Sequence, residues 1–503
     1  HMKEKKIYHN IGVLAHVDSG KTTLTEQLLY LTGAVREAGS VDKGNAVTDN
    51  LDIERRRGIS VRTSTASAEW NGVNINLIDT PGHTDFAGEV ERSLTALDYA
   101  IVIVSAVEGV RAHTENILRA LDDLKLPRLV FVNKLDRAGS DTSAVIRDLG
   151  SRGGRAYFPV VSWEGEGYES VKVKSLDGEE FDEKLLEALA EVNDEAAEAF
   201  LGDEKIPHER LCEMMKAEIS ACGLVPVLCG SAKLGLGVRE LCDFMTEYMP
   251  SSDRRATDEL CGIIFKIEHD KQMGKISYVR LFGGKITNRD EIKLLRPIDE
   301  KRKNPDGEED DAVQLEEKPP ISEKVTQIKK IKGGKYTDAG EVEAGDIAAL
   351  CGLPSAKTGQ FVGSLDISEK YKLVSPFLRV KVTPADSDPE KIPALAAALS
   401  ELSDEEPYID AKWENGQKDI TISTTGKIQL EVIDSLLRER YNMAATFAPP
   451  TVIYKETPSK SGFAYADYTM PKPCWAVVQF KFEPMPRGYG VSYHGKLPSN
   501  QLF

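Results

Sequence analysis

The sequence has no apolar run approaching the roughly 18 residues a helix needs to cross a bilayer. It has no C-x-x-C pair either. Its seven cysteines, at 212, 222, 229, 242, 261, 351 and 474, form an odd and dispersed set. Such a set argues against a zinc ribbon or a disulfide framework and reads as reduced thiols in a cytoplasmic protein, most of them small core residues. Positive charge is also short, with 64 Lys and Arg against 81 Asp and Glu and a net charge of −17. A chain this acidic does not coat nucleic acid non-specifically, although a local cluster such as Arg55, Arg56 and Arg57 can still dock on RNA. No signal peptide follows the leading His-Met, and no internal repeat is apparent.

What is present is length and alternation. At 503 residues the chain exceeds a single core, and about two to four domains are expected. Over 1–250, apolar strand candidates (11–16, 74–79, 100–105, 128–133 and 225–228) alternate with helical stretches. That order predicts an α/β unit whose parallel sheet carries helices on both faces, with ligands beyond the carboxyl ends of its strands. Over 257–364 the apolar period falls to two and glycine turns join short segments, which predicts a β-barrel. The charge-rich stretch "EKRKNPDGEEDDAVQLEEKPP" inside it reads as a mobile loop. Over 373–447 the pattern is strand, helix, strand, strand, helix, strand, a split βαβ, ferredoxin-like α+β module. Its first helix is expected to start at Asp388 and Pro389. From 448 to 503 strands resume as the start of a fourth unit.

Five motifs fall where that architecture places ligands. "AHVDSGKTT" (15–23) follows a strand and opens a helix, as a phosphate-cradling loop must, but Ala15 replaces its usual first glycine. Backbone N–H groups from Asp18 through Ser19 and Gly20, aided by the helix dipole, suit phosphate oxygens. Lys21 would reach the outer phosphates and Thr22 would ligate magnesium. In "LIDTPGHTDF" (77–86), Asp79 is placed to hold magnesium through water, and Gly82 lets its N–H approach a terminal phosphate. His83 could position an attacking water. In "FVNKLD" (131–136), Asp136 offers two acceptors to the N1–H and N2 donors of guanine, which adenine lacks. Asn133 can contact the N7 edge, and the Lys134 stem can lie along the base. In "GSAKLGLG" (230–237) the Ala232 N–H, between Ser231 and Lys233, would donate to O6. In "RRRGISV" (55–61), the Ser60 hydroxyl could ligand magnesium only when a third phosphate is present, which would make the segment a switch.

Together these elements resemble the translational GTPases, over essentially all 503 residues. The resemblance implies a magnesium-dependent enzyme that converts GTP to GDP and phosphate. It implies that Lys21, Thr22 and Thr23 bind phosphate and magnesium, and that Asp18 helps place a monovalent cation or the water. Val17 and Ile59 match an apolar gate flanking His83. Ala15 is common in the elongation factor G branch, whereas Ser60 stands where the family usually has threonine. "GKIQLEV" (426–432), "PPTVIYKETP" (449–458), "PCWA" (473–476), "PMPRGYGVSY" (484–493) and "SVDKGNAVTDN" (40–50) look like the tetracycline-resistance ribosomal protection proteins. Lys427 and Gln429 replace the Glu and His that elongation factor G carries there. That likeness implies a monomeric partner of the ribosome, and of the tetracycline-bound ribosome in particular, with no membrane role. It also implies a chain ending inside its fourth unit. A translocase of the elongation factor G type, a release-factor-type GTPase and a non-hydrolysing GTP-binding regulator stay open as alternatives.

Overall fold

The computed structural model describes residues 6–39, 62–81, 87–252, 259–270, 272–295, 320–332, 335–363, 378–413, 419–452, 458–469 and 475–485. The first unit is built on strands β1 (Tyr8–Ala15), β2 (Ser64–Trp70), β3 (Val73–Asp79), β4 (Tyr99–Ser105), β5 (Arg128–Asn133), β6 (Ala156–Pro159) and β7 (Leu224–Cys229). Their order across the sheet is β2-β3-β1-β4-β5-β7-β6. All but β2 run parallel. Strands of a parallel sheet are covered on both sides and read as unbroken apolar runs, and every residue of β1, β4, β5 and β7 is buried. The helices packed with them include α1 (Lys21–Leu31), α2 (Ala87–Leu94), α3 (Ala112–Asp123), α4 (Thr142–Ser151) and α5 (Val238–Tyr248).

The strand β2 escapes an apolar reading, because "STASAEW" carries little to bury. Its signal is the following Asn71-Gly72, both at positive φ, a pair that favours a tight hairpin into β3.

The second unit pairs β8 (Cys261–Asp270), β9 (Gly274–Gly283), β10 (Glu291–Leu295), β11 (Gln327–Lys332), β12 (Ile347–Cys351) and β13 (Phe361–Gly363) in antiparallel fashion, in the order β10-β13-β8-β9-β12-β11. Alternate residues, among them Ile264, Val279, Leu281, Ile292, Leu294 and Leu350, close its core. A bridge from Lys332 to Ser67 on β2 continues its sheet into the first unit. The joint is polar and buried. Arg280, fully buried on β9, donates to Asp98 Oδ1 at 2.9 Å and to the Gly345 carbonyl. Asp98 Oδ2 in turn accepts from the backbone N–H and side-chain amide of Asn10, at 2.9 and 2.8 Å.

The third unit comprises β14 (Leu378–Pro384), α6 (Ile392–Glu405), β15 (Ile420–Thr424), α7 (Lys427–Tyr441) and β16 (Ala445–Phe447). The antiparallel strand order β15-β14-β16 places the first strand in the middle, as a ferredoxin-like unit requires. Two local details depart from the sequence reading. Asp388 caps a short 3-10 turn, Pro389–Lys391, that leads into α6 rather than capping α6 itself. The second strand expected in that order, "YIDAKW" (408–413), is not a strand. Pro407 fixes its φ and lacks an N–H, so Pro407–Ile409 winds as a 3-10 turn, and only Lys412 bridges to Thr421. A final hairpin joins β17 (Gly462–Thr469) to β18 (Trp475–Phe482).

Candidate functional site

Parallel pairing brings the ends of β1, β3, β5 and β7 to one edge of the sheet, and the loops that follow them carry the motifs. At the end of β1, Ala15 is buried and packs in the core, so the site usually taken by glycine accepts a methyl. The loop then turns tightly. Ser19 N–H donates to the His16 carbonyl at 3.2 Å, and Asp18 and Gly20 hold φ of 63° and 93°. Gly20 is the N-cap of α1, so no side chain caps that helix, and its first turn holds no acidic residue. A helix end left in this way offers its positive partial charge to an anion.

Gly20 is required for a second reason. A Cβ there would lie 2.2 Å from Asn133 Nδ2. Asn133, at the end of β5, donates from Nδ2 to the Ser19 carbonyl at 2.8 Å and accepts from the Ala232 N–H at 2.9 Å. Both ends of its amide therefore tie the phosphate loop to the 230–237 loop. In this geometry Asn133, expected at the base edge, also straps the two binding loops together. Ser231 closes the second loop through a backbone pair with Leu236 and a hydroxyl that caps Leu234 N–H at 3.4 Å. Lys134 is in the left-handed region at φ 72°, and its Nζ donates to Glu108 Oε1 at 3.0 Å. Asp136 is half-buried beside it, while Lys233 is exposed.

Lys21 and Asp79 form a buried pair of charges at this edge. Nζ lies 2.6 Å from Oδ1, and both side chains are almost fully buried. Burial pushes the Asp79 carboxyl above its ordinary range, and the Lys21 ammonium opposes that rise. Thr22 and Thr23 are half-buried on the first turn of α1, and Val17 is half-buried before it. Ile59, Ser60, Gly82 and His83 lie outside the described residues, as does the arginine cluster at 55–57.

A glycine-bounded helix end, a buried lysine and a carboxylate at the next strand end form a set suited to a phosphate chain with a divalent cation. Residues 6–251 match the family model described as "Elongation factor Tu GTP binding domain". The tetracycline resistance protein TetP of Clostridium perfringens is 36% identical over 494 residues, covering 97% of this chain and 72% of TetP.

The chain belongs to the translational GTPases, beside the tetracycline resistance proteins.

TetM from transposon Tn916 of Enterococcus faecalis is 35% identical to this GTPase over 98% of the chain and 73% of TetM. A crystal structure of a Thermus thermophilus protein superposes with a TM-score of 0.74 at 26% identity, covering 95% of this chain and 73% of that one. The GTPase fold thus extends through the barrel and the α+β unit. GTP and GDP are its nucleotides. Magnesium fits the donor set, because a buried carboxylate at the end of β3 pairs with Lys21 and the next residue, Thr22, offers a hydroxyl on the first turn of α1.

Sequence reasoning missed a second polar centre, formed by Arg62, Arg92, His269, Glu405, Glu406 and Arg440. Its pairs are separated by 35 to 343 positions, so no local pattern announces them.

Proposed function

We propose that the protein hydrolyses GTP in response to the ribosome and, like the tetracycline resistance proteins it resembles, acts on tetracycline-bound ribosomes in the cytoplasm as a monomer. The observation that carries this reading is the Lys21–Asp79 pair held against the Asn133-strapped loops, in a chain related to those proteins over nearly its whole length. The four units proposed are a nucleotide domain (1–250), a barrel (257–364), a ferredoxin-like domain (373–447) and the start of a fourth (448–503).

In this reading Ser19, Gly20, Lys21, Thr22 and Thr23 hold the phosphates, with the Gly82 N–H at the last one. Asp136 reads the guanine edge, flanked by Lys134, Ser231, Ala232 and Lys233, while Asn133 keeps the loops in register. Thr22, Ser60 and Asp79 would hold magnesium, which when bound supplies positive charge against the phosphate oxygens. Asp18 lies where a monovalent cation or the water could be placed. Water attacks the γ-phosphorus in line, and Lys21 and loop N–H groups stabilise the charge that develops. No strong base stands among these residues, so intrinsic turnover should be slow. The ribosome would bring His83 to the water between Val17 and Ile59.

The test is phosphate release with and without ribosomes, alongside tetracycline displacement. Stimulated release that falls to near the intrinsic rate in His83→Ala, with GTP affinity kept, is the expected result. Equal stimulated rates in variant and parent would remove His83 from the mechanism, and no stimulation of the parent would overturn the reading.

A further inference from the structure

The helices packed on β6 bring together three side chains that the nucleotide chemistry does not use. Asp182 lies on the helix Gly178–Ala190, and His208 and Cys212 lie on the helix His208–Ser220. The first of these helices meets β6 through Phe181, whose ring packs edge-to-face on Phe158 at 5.4 Å between centroids. Strand β6 is the sheet edge, with β4, β5 and β7 between it and β1, so the cluster is remote from the phosphate loop. Positions i and i+4 of a helix share a face. Cys212 Sγ accordingly lies 3.5 Å from His208 Nε2, while His208 Nδ1 lies 2.6 Å from Asp182 Oδ1. The imidazole is exposed and the thiol half-buried beside it. Phe181 lies 5.9 Å from the imidazole and 6.5 Å from the Tyr248 ring, an aromatic floor beneath the pair.

With the Nδ1 proton donated to Asp182, Nε2 turns its lone pair towards the sulfur, and the thiol can donate to it. The same spacing is that of two ligands on one ion. Zinc bonds of about 2.3 Å to sulfur and about 2.0–2.1 Å to nitrogen, at a tetrahedral angle, hold the two atoms about 3.5 Å apart. One thiolate and one imidazole suit zinc or cadmium, whereas magnesium takes oxygen ligands. The carboxylate extends the pattern. An imidazole on a metal donates its other N–H to such a group, which fixes the ring and strengthens the donor. Among the described residues a further group of histidine and carboxylates is close enough for an ion, His269 with Glu401 and Glu405. It holds no sulfur, and Arg62 and Arg440 already meet its charge.

We propose that His208 and Cys212 bind a single zinc-class divalent ion, with Asp182 as the positioning residue that orients the imidazole. On binding, the Cys212 S–H bond breaks and its proton passes to solvent. Sulfur and Nε2 then each give an electron pair to the ion, and water fills the remaining positions. The carboxylates of Glu209 and Glu247, whose charges reach both ligands, favour the cation against the charge of Lys216. His208 is the first residue of its helix and Asp182 belongs to the neighbouring one. The bound ion therefore fastens the start of one helix to the other, and binding to the folded chain alone raises its stability.

The experiment titrates the reduced, metal-free full chain with cadmium and follows the ultraviolet charge-transfer band of a cadmium-bound thiolate. The parent is expected to give the band at micromolar cadmium, and zinc should abolish it by competition while raising Tm. Cys212→Ser should lose the band, and a cooperative melting transition without metal shows that this variant is folded. Asp182→Asn should keep the band and weaken cadmium affinity about tenfold or more. His208→Ala should weaken it at least as far. Unchanged affinity in His208→Ala would reduce the site to a thiol alone and overturn the proposal. A band undiminished in Cys212→Ser, or none in the parent, would overturn it equally. The ion at His269, Glu401 and Glu405, having no sulfur to offer, would raise Tm without any band, and that result also counts against the proposal.

Discussion

Lys21 Nζ sits 2.6 Å from Asp79 Oδ1, so the ammonium proposed for the phosphates and the carboxylate proposed for magnesium neutralise each other in this geometry. A nucleotide with its ion must separate them, giving each a new partner of opposite charge. Asp79→Asn should therefore weaken magnesium dependence specifically. The magnesium concentration at half-maximal GTP binding is expected to rise about tenfold or more. Binding of GDP in the presence of a chelator should be undiminished, since Lys21 is then released to the phosphates. An unchanged magnesium midpoint would show that Asp79 does not act on the ion.

Asn133→Ala tests the strap. It leaves the Ser19 carbonyl and the Ala232 N–H without their partner in a buried setting, at about 1–3 kcal/mol for each group. The affinities for GTP and GDP should fall together by roughly tenfold, equivalent to about 1.4 kcal/mol. A change confined to GTP, or to the choice of base, would contradict a strap.

Base choice is proposed to rest on Asp136. Asp136→Asn turns one acceptor into a donor and should move preference from GTP towards xanthosine triphosphate. Competition binding with the two nucleotides measures it directly, and unaltered GTP affinity would remove Asp136 from base recognition.

Acid stability should report on His9. This side chain is buried on β1 against the Tyr99 hydroxyl at 3.1 Å. Burial lowers its pKa to about 4, against a partly compensating pull from Asp98. The unfolded histidine, near 6.5, takes up its proton first as pH falls. Stability that is complete above about pH 6.5 is then lost progressively towards pH 4, by up to about 3 kcal/mol. Hydrogen exchange of the β1 amides follows this loss, and His9→Gln should flatten it.

How much the sequence disclosed depended on how local each signal was. The β1, β3, β4 and β5 runs are mostly apolar, because both faces of the sheet are covered, and the ends of β1, β3 and β5 carried motifs to one edge. Gly20 was legible as a loop residue, but its contact with Asn133 is made across 113 positions and required the fold. The third-unit strand expected at 408–413 gives way to a 3-10 turn that starts at Pro407. Nothing local in "SELSDEEPYI" sets Glu405 and Glu406 apart. Only Arg280 carried a visible hint, as a charge in the middle of the apolar run "ISYVRLFG".

Arg280 also decides where the molecule can be divided. A cut between α5 and β8 looks natural on the sequence, since it separates the nucleotide unit from the barrel. It would strip Asp98 of its guanidinium and Asn10 of the Gly345 carbonyl, and expose the β2 edge to other chains. Stranding one member of such a pair costs about 3–5 kcal/mol where it stays buried. The smallest fragment suited to expression and crystallisation therefore keeps the barrel attached to the nucleotide unit.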